Sequence, residues 1–107
     1  MSLENAIQRT GDAMWNLFCP QCGFEFVHII ALTCLRGTDE TVITSEGICV
    51  RTAENLSRGV RIALEYVCEN GHRGRIIFQF HKGVVYLDHE SLPDTEDLEG
   101  FRDIWRT

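Results

Sequence analysis

The chain has 107 residues, 44% hydrophobic and 24% charged, which fits one globular domain over 1–107 and excludes wholesale disorder. Its formal charge of −6 opposes indiscriminate attraction to phosphate backbones or anionic lipid. No apolar run reaches the roughly 18 residues of a membrane-spanning helix, and MSLENAIQRT lacks a basic stretch followed by an apolar one, so a cytoplasmic protein without membrane contact is expected.

Residues 1–13 read as a weakly structured N-terminus. Trp15 to Phe18 then leads as a strand into the turn Cys19-Pro20-Gln21-Cys22-Gly23. Phe24 to Cys34 is apolar on both parities, which predicts a strand buried on two sides. Thr41 to Ser45 and Ile48 to Arg51 flank Glu46-Gly47, a hairpin signal between two β-branched runs. Thr52 to Gly59 is polar and linker-like.

From Val60 to Cys68 the even positions Val60, Ile62, Leu64 and Tyr66 are apolar, with Arg61 and Glu65 on the other parity, the period of a half-exposed strand. Arg75 to His81 repeats that pattern, and Lys82-Gly83 turns the chain into a strand over Val84 to Leu87. Beyond Pro93, Asp94, Glu96 and Asp97 would open a helix. Leu98, Phe101 and Trp105 fall at helical spacing, and Arg102 and Arg106 lie near its end, so residues 94–106 predict a short amphipathic helix covering the sheet. The expected fold class is mainly β, an antiparallel sheet with a short C-terminal helix.

Two segments carry metal chemistry. A C-x2-C turn delivers two sulfurs to one ion, and Cys19 and Cys22 supply that pair; Gly23 lets the turn close with its amides toward the sulfurs. A second half appears as Cys68-Glu69-Asn70-Gly71-His72, again a strand end, a glycine turn and a second ligand. Cys19, Cys22, Cys68 and His72 therefore predict one structural Zn2+, the kind of cross-link that a small core needs. A redox dithiol would require a βαβ frame, and covalent haem would require histidine directly after Cys22, where Gly23 stands. Five cysteines without an export signal argue against disulfides. Cys34 and Cys49 sit inside apolar strand patterns and read as small packing residues. His28, His81 and His89 read as satisfied or exposed histidines, with His81 the reserve ligand.

The two knuckles and their flanking strands resemble the zinc-ribbon class, in which two turns at hairpin ends pinch one zinc ion. Gly71 stands where that class usually has a second cysteine, and His72 follows it. The string from Arg58-Gly59 through CENGHRGRIIFQFHKG is similar to uncharacterised small zinc-ribbon-like proteins of bacteria, phages and plasmids. That resemblance implies a fold and no activity.

Four protein ligands leave a tetrahedral ion no position for an activated water, and no H-x-E with P-C-x-x-C, G-x-S-x-G or H-E-x-x-H pattern is present, so an enzyme is not expected. Two binding classes remain, with an enzyme a distant third. Residues 1–49 carry six acids against two bases and residues 88–107 seven against two, whereas residues 50–87 carry three against six. The acidic balance favours a protein-interaction module, such as an accessory or inhibitory protein of mobile elements. The basic middle third favours a nucleic-acid-binding ribbon, against the net charge. If the Val60 and Arg75 strands pair antiparallel, Arg61, Glu65, Arg75, Gln79 and His81 share one polar face. Arg61, Arg75, Gln79 and His81, with Lys82 beside them, are the candidate partner-binding residues.

Overall fold

The computed structural model describes residues 6–10, 14–54 and 59–104. Alternating β-branched and aromatic residues separated by glycine turns produce eight strands there. Strands β1 (Ile7–Thr10) and β2 (Met14–Leu17) pair antiparallel with each other. The others are β3 (Val27–Arg36), β4 (Asp39–Thr44), β5 (Gly47–Thr52), β6 (Val60–Cys68), β7 (Arg73–His81) and β8 (Val84–Leu92). They form one six-stranded antiparallel sheet in the order β5-β4-β3-β6-β7-β8. The tight turn between β7 and β8 places Lys82 at φ 50° and Gly83 at φ 79°, the double positive that matches strand twist in a two-residue hairpin.

The two-parity apolar run of β3 has a cause other than burial on both sides. Its pairing with β6 shifts between Ile29 and Ala31, so Ile30 is the extra residue of a β-bulge. The bulge reverses parity. Val27 and Ile29 before it therefore share a face with Leu32 and Cys34 after it, because their partners Cys68, Tyr66, Leu64 and Ile62 all lie on one side of β6. Strand β8 also outruns the expected Val84 to Leu87 and continues through Leu92. The polar residues Asp88, His89 and Glu90 carry no strand signal, but they sit opposite Ile77, Ile76 and Arg75 in the ladder.

The expected C-terminal helix is absent over residues 94–104; Trp105 and Arg106 lie outside the described residues. Gly100 interrupts the helical stretch, and local side-chain bonds compete for its amides: Asp97 N–H donates to Thr95 Oγ1 (3.1 Å) and Glu99 N–H to Asp97 Oδ1 (3.0 Å). The tail is instead held as an irregular strap. Thr95 N–H donates to the Gly71 carbonyl (2.8 Å), and Ile104 N–H to the Ile29 carbonyl (3.0 Å). The Arg73 guanidinium lies 5.0 Å from the Phe101 ring centre, a cation–π contact.

Register divides the sheet into two faces. One carries Val60, Ile62, Leu64 and Tyr66 of β6, Ile76, Phe78 and Phe80 of β7, Val85 and Leu87 of β8, Ile43 of β4, and Ile48 and Val50 of β5. The other carries Arg61, Glu65, Arg75, Gln79, Glu40 and Arg51, together with the buried Val67 and Ile77 and the exposed Val84 and Tyr86. Burial is concentrated at one end of the sheet. There Cys19, Tyr66, Cys68 and Ile76 form the core, with Leu17, Phe24, Val27, Ile29 and Phe78 packed against it. At that end the first knuckle packs on the apolar face, while Phe101 of the tail stacks on Arg73 of the polar one. The far end of the apolar face has no such cover among the described residues: Ile48 is 71% exposed, Val50 68% and Leu87 53%.

Candidate metal centre

The first knuckle is built by backbone hydrogen bonds around Cys19. Cys19 N–H donates to the Phe24 carbonyl (2.9 Å) and Gly23 N–H to the Cys19 carbonyl (2.8 Å), with Gly23 at φ 77°. The second repeats the design at the end of β6. Cys68 N–H donates to the His72 carbonyl (2.9 Å) and Gly71 N–H to the Cys68 carbonyl (2.8 Å), with Gly71 at φ 89°. Glycine at this position is required twice over, since a Cβ on Gly71 would lie 2.2 Å from the Thr95 carbonyl oxygen.

These turns bring Cys19, Cys22, Cys68 and His72 together, with their ligand atoms all within 4.8 Å of one another. The Cys22 and Cys68 sulfurs are 3.8 Å apart, and Cys68 Sγ is 3.4 Å from His72 Nδ1. With metal–sulfur bonds of about 2.3 Å and a metal–nitrogen bond of about 2.0 Å, a tetrahedron separates two sulfurs by about 3.8 Å and a sulfur from a nitrogen by about 3.5 Å. The cluster therefore has the dimensions to hold a metal ion. His72 can occupy the place left by Gly71 because its Nδ1 faces Cys68 across the turn.

The thiols differ in environment. Burial pushes the Cys19 thiol up to about 12, despite backbone N–H groups of Gln21 and Cys22 that favour its thiolate. At Cys22 burial acts upward too, but the Phe24 N–H, then the Asn70, Cys19 and His72 side chains, outweigh it and bring the thiol down to about 7. A cation placed among them would favour every thiolate. Cys34 and Cys49 stand outside the cluster, and all five cysteines are free thiols.

Supporting residues came from positions that the sequence patterns did not mark. Gln21, inside the first knuckle, donates from Nε2 to Tyr66 Oη (2.9 Å) and to the Arg73 carbonyl (2.7 Å), tying the turn to β6 and β7. Asn70 Nδ2 donates to Cys22 Sγ (3.7 Å) from the opposite knuckle. Tyr66, fully buried, has its hydroxyl 2.5 Å from His89 Nε2. Burial raises the phenol to about 12 and lowers the His89 imidazole, so a neutral phenol donates to a neutral ring. Asn70 had a signal available, as an amide side chain between ligands that can reach a thiolate; Gln21 and His89 had none, because strand pairing alone brings Tyr66 and Arg73 to the one and Tyr66 to the other.

The candidate partner-binding residues are placed as the strand pairing requires. Arg61 stands opposite Gln79 and Glu65 opposite Arg75 on the polar face, and His81 closes the same row at the end of β7. Lys82 lies in the hairpin turn beyond it. Arg75 is engaged by two carboxylates, Glu65 at 3.3 Å and Glu90 at 2.7 Å, and Arg51 pairs with Glu40. Gln79 Nε2 donates to the Val60 carbonyl (3.4 Å).

No protein-family model, curated protein or solved structure matches the chain.

Proposed function

We propose that this protein is an interaction module whose sheet is anchored at one end by a structural zinc ion held by Cys19, Cys22, Cys68 and His72, in the manner of a zinc ribbon. Three thiolates and one imidazole form a donor set that suits zinc, and four protein ligands fill its tetrahedron, which favours a structural role over catalysis. The observation that carries the interaction reading is the uncovered apolar face at the far end of the sheet. Contiguous exposed apolar surface in a folded protein marks a site of association.

The polar face supports a nucleic-acid reading less well. Arg75 and Arg51 already have carboxylate partners, and phosphate would have to compete with Glu40, Glu65 and Glu90. The test compares capture of binding partners from a native-host extract by the zinc-loaded chain, by Val50→Asp with Leu87→Asp, and by Arg61→Glu with Arg75→Glu. Loss confined to the first pair supports the apolar face; loss confined to the second moves recognition to the polar face. Steeply salt-dependent binding to DNA or RNA would replace the interaction module with the nucleic-acid reading.

A further inference from the structure

We infer that the open apolar face is the contact between two copies of this chain, which stack sheet against sheet as a two-fold dimer. This rests on the interaction-module reading and names its partner.

Domains are built of at least two packed layers around a core, because a sheet must bury its apolar face against something. Away from the metal centre the described residues supply one layer. Global dimensions agree with an incomplete unit. The radius of gyration is 14.6 Å, against about 13 Å for a compact domain of this length. The accessible surface of 7338 Å² exceeds the roughly 6,100 Å² of a compact monomer of 12.2 kDa by about a fifth.

The face suits a second copy of itself. Its interior carries no charged residue; Arg36 and Asp39, of opposite sign, stand opposite each other in the end row of the sheet. Two copies can therefore meet without burying an unpaired charge. The acidic tail is strapped at the metal end, through Thr95 to Gly71 and Ile104 to Ile29, so the acids of the tail are held away from the contact. Six strands about 4.8 Å apart, over about 16 Å of strand length, give about 400 Å² in projection on each copy. Side-chain relief brings the pair near the roughly 1,000 Å² that a specific interface needs. Twisted sheets stack at about 10 Å separation, and an isologous two-fold axis closes the assembly without leaving a second open face.

Native cysteines report on the contact directly. Cys34 lies on the apolar face opposite Ile62, whereas Cys49 is exposed on the opposite face of β5. The full zinc-loaded chain is measured by light scattering and native mass spectrometry, and its alkylation by iodoacetamide is followed residue by residue across a concentration series. A species of twice 12.2 kDa is expected, with Cys34 reacting more slowly as the dimer fraction rises and Cys49 unaffected. Val50→Asp with Leu87→Asp should give a monomer of unchanged zinc content and circular dichroism, while Arg61→Glu stays dimeric. A 12.2 kDa species at every concentration overturns the proposal, as does a dimer in which Cys34 reactivity is independent of concentration. A monomer that still captures a host protein through Val50 and Leu87 overturns the dimer but preserves the interaction module. A monomer with no face-dependent capture overturns both.

Discussion

Replacing Gly71 and Gly23 with alanine separates two costs that the knuckles share unequally. Both glycines occupy the left-handed region, at φ 89° and 77°, so each alanine carries a backbone penalty of about 1–2 kcal/mol. Around Gly23 an added Cβ meets no atom within 4 Å, and the penalty ends there. At Gly71 the Cβ would lie 2.2 Å from the Thr95 carbonyl oxygen, a distance that cannot persist. Relief requires the strap to lift and break the Thr95 N–H to Gly71 carbonyl bond, adding about 1 kcal/mol for the hydrogen bond and more for the contacts peeled away with it. Gly71→Ala should therefore cost about 3 kcal/mol and Gly23→Ala about 1–2 kcal/mol. Thermal unfolding in excess zinc should place the Gly71 variant several degrees below the Gly23 variant, at about 4–8 °C per kcal/mol. Equal melting points would refute the argument that the tail is docked against the second knuckle.

The protein as purified should carry one zinc per chain by elemental analysis. Cys68→Ser should lose the metal and the cooperative melt, while Cys49→Ser, exposed on an edge strand, should change stability by less than about 0.5 kcal/mol. Phe101→Ala should cost about 1–2 kcal/mol in a denaturant melt, less than a fully buried aromatic, since the ring is half-buried and contributes mainly its stack on Arg73; no change would mean that the strap does not hold there. His89 is lowered from its ordinary value near 6.5 by burial, so the unfolded chain takes up the proton first. Its contribution to stability is complete above pH 6.5 and is lost as pH falls from there through the folded value. In melts with zinc content monitored, His89→Gln should flatten the slope just below pH 6.5; an unaltered slope would assign it to other groups.

The grouping of Cys19, Cys22, Cys68 and His72 was readable from the chain because each half is local. Cys19-Pro20-Gln21-Cys22-Gly23 and Cys68-Glu69-Asn70-Gly71-His72 each contain their own turn chemistry, and the turns alone decide where the sulfurs and the imidazole point. The β6–β7 pairing was readable for the same reason, since one knuckle joins the two strands. What failed depended on contacts between distant segments. The tail has helical spacing at Leu98 and Phe101, but Gly71, Ile29 and Arg73 compete for its backbone and side chains, and no pattern within 94–106 reveals those competitors.

The β3 bulge shows how a correct strand can carry a wrong inference. Apolar residues on both parities ordinarily mean that both faces are buried. One extra residue at Ile30 converts the same string into a one-sided strand, with Val27, Ile29, Leu32 and Cys34 on a single face. The consequence reaches the whole molecule. A β3 buried on both sides would have implied cover on each face of the sheet, whereas the bulged β3 aligns with β6, β7 and β8 to build one continuous apolar surface. The first knuckle packs over the metal end of that surface, and the exposure of Ile48, Val50 and Leu87 is the remainder. The same irregularity that turns Val27 and Ile29 toward the Cys19 and Cys68 core thus leaves Leu32 and Cys34 in the uncovered field. The candidate metal cluster and the exposed apolar residues lie at two ends of a single sheet surface.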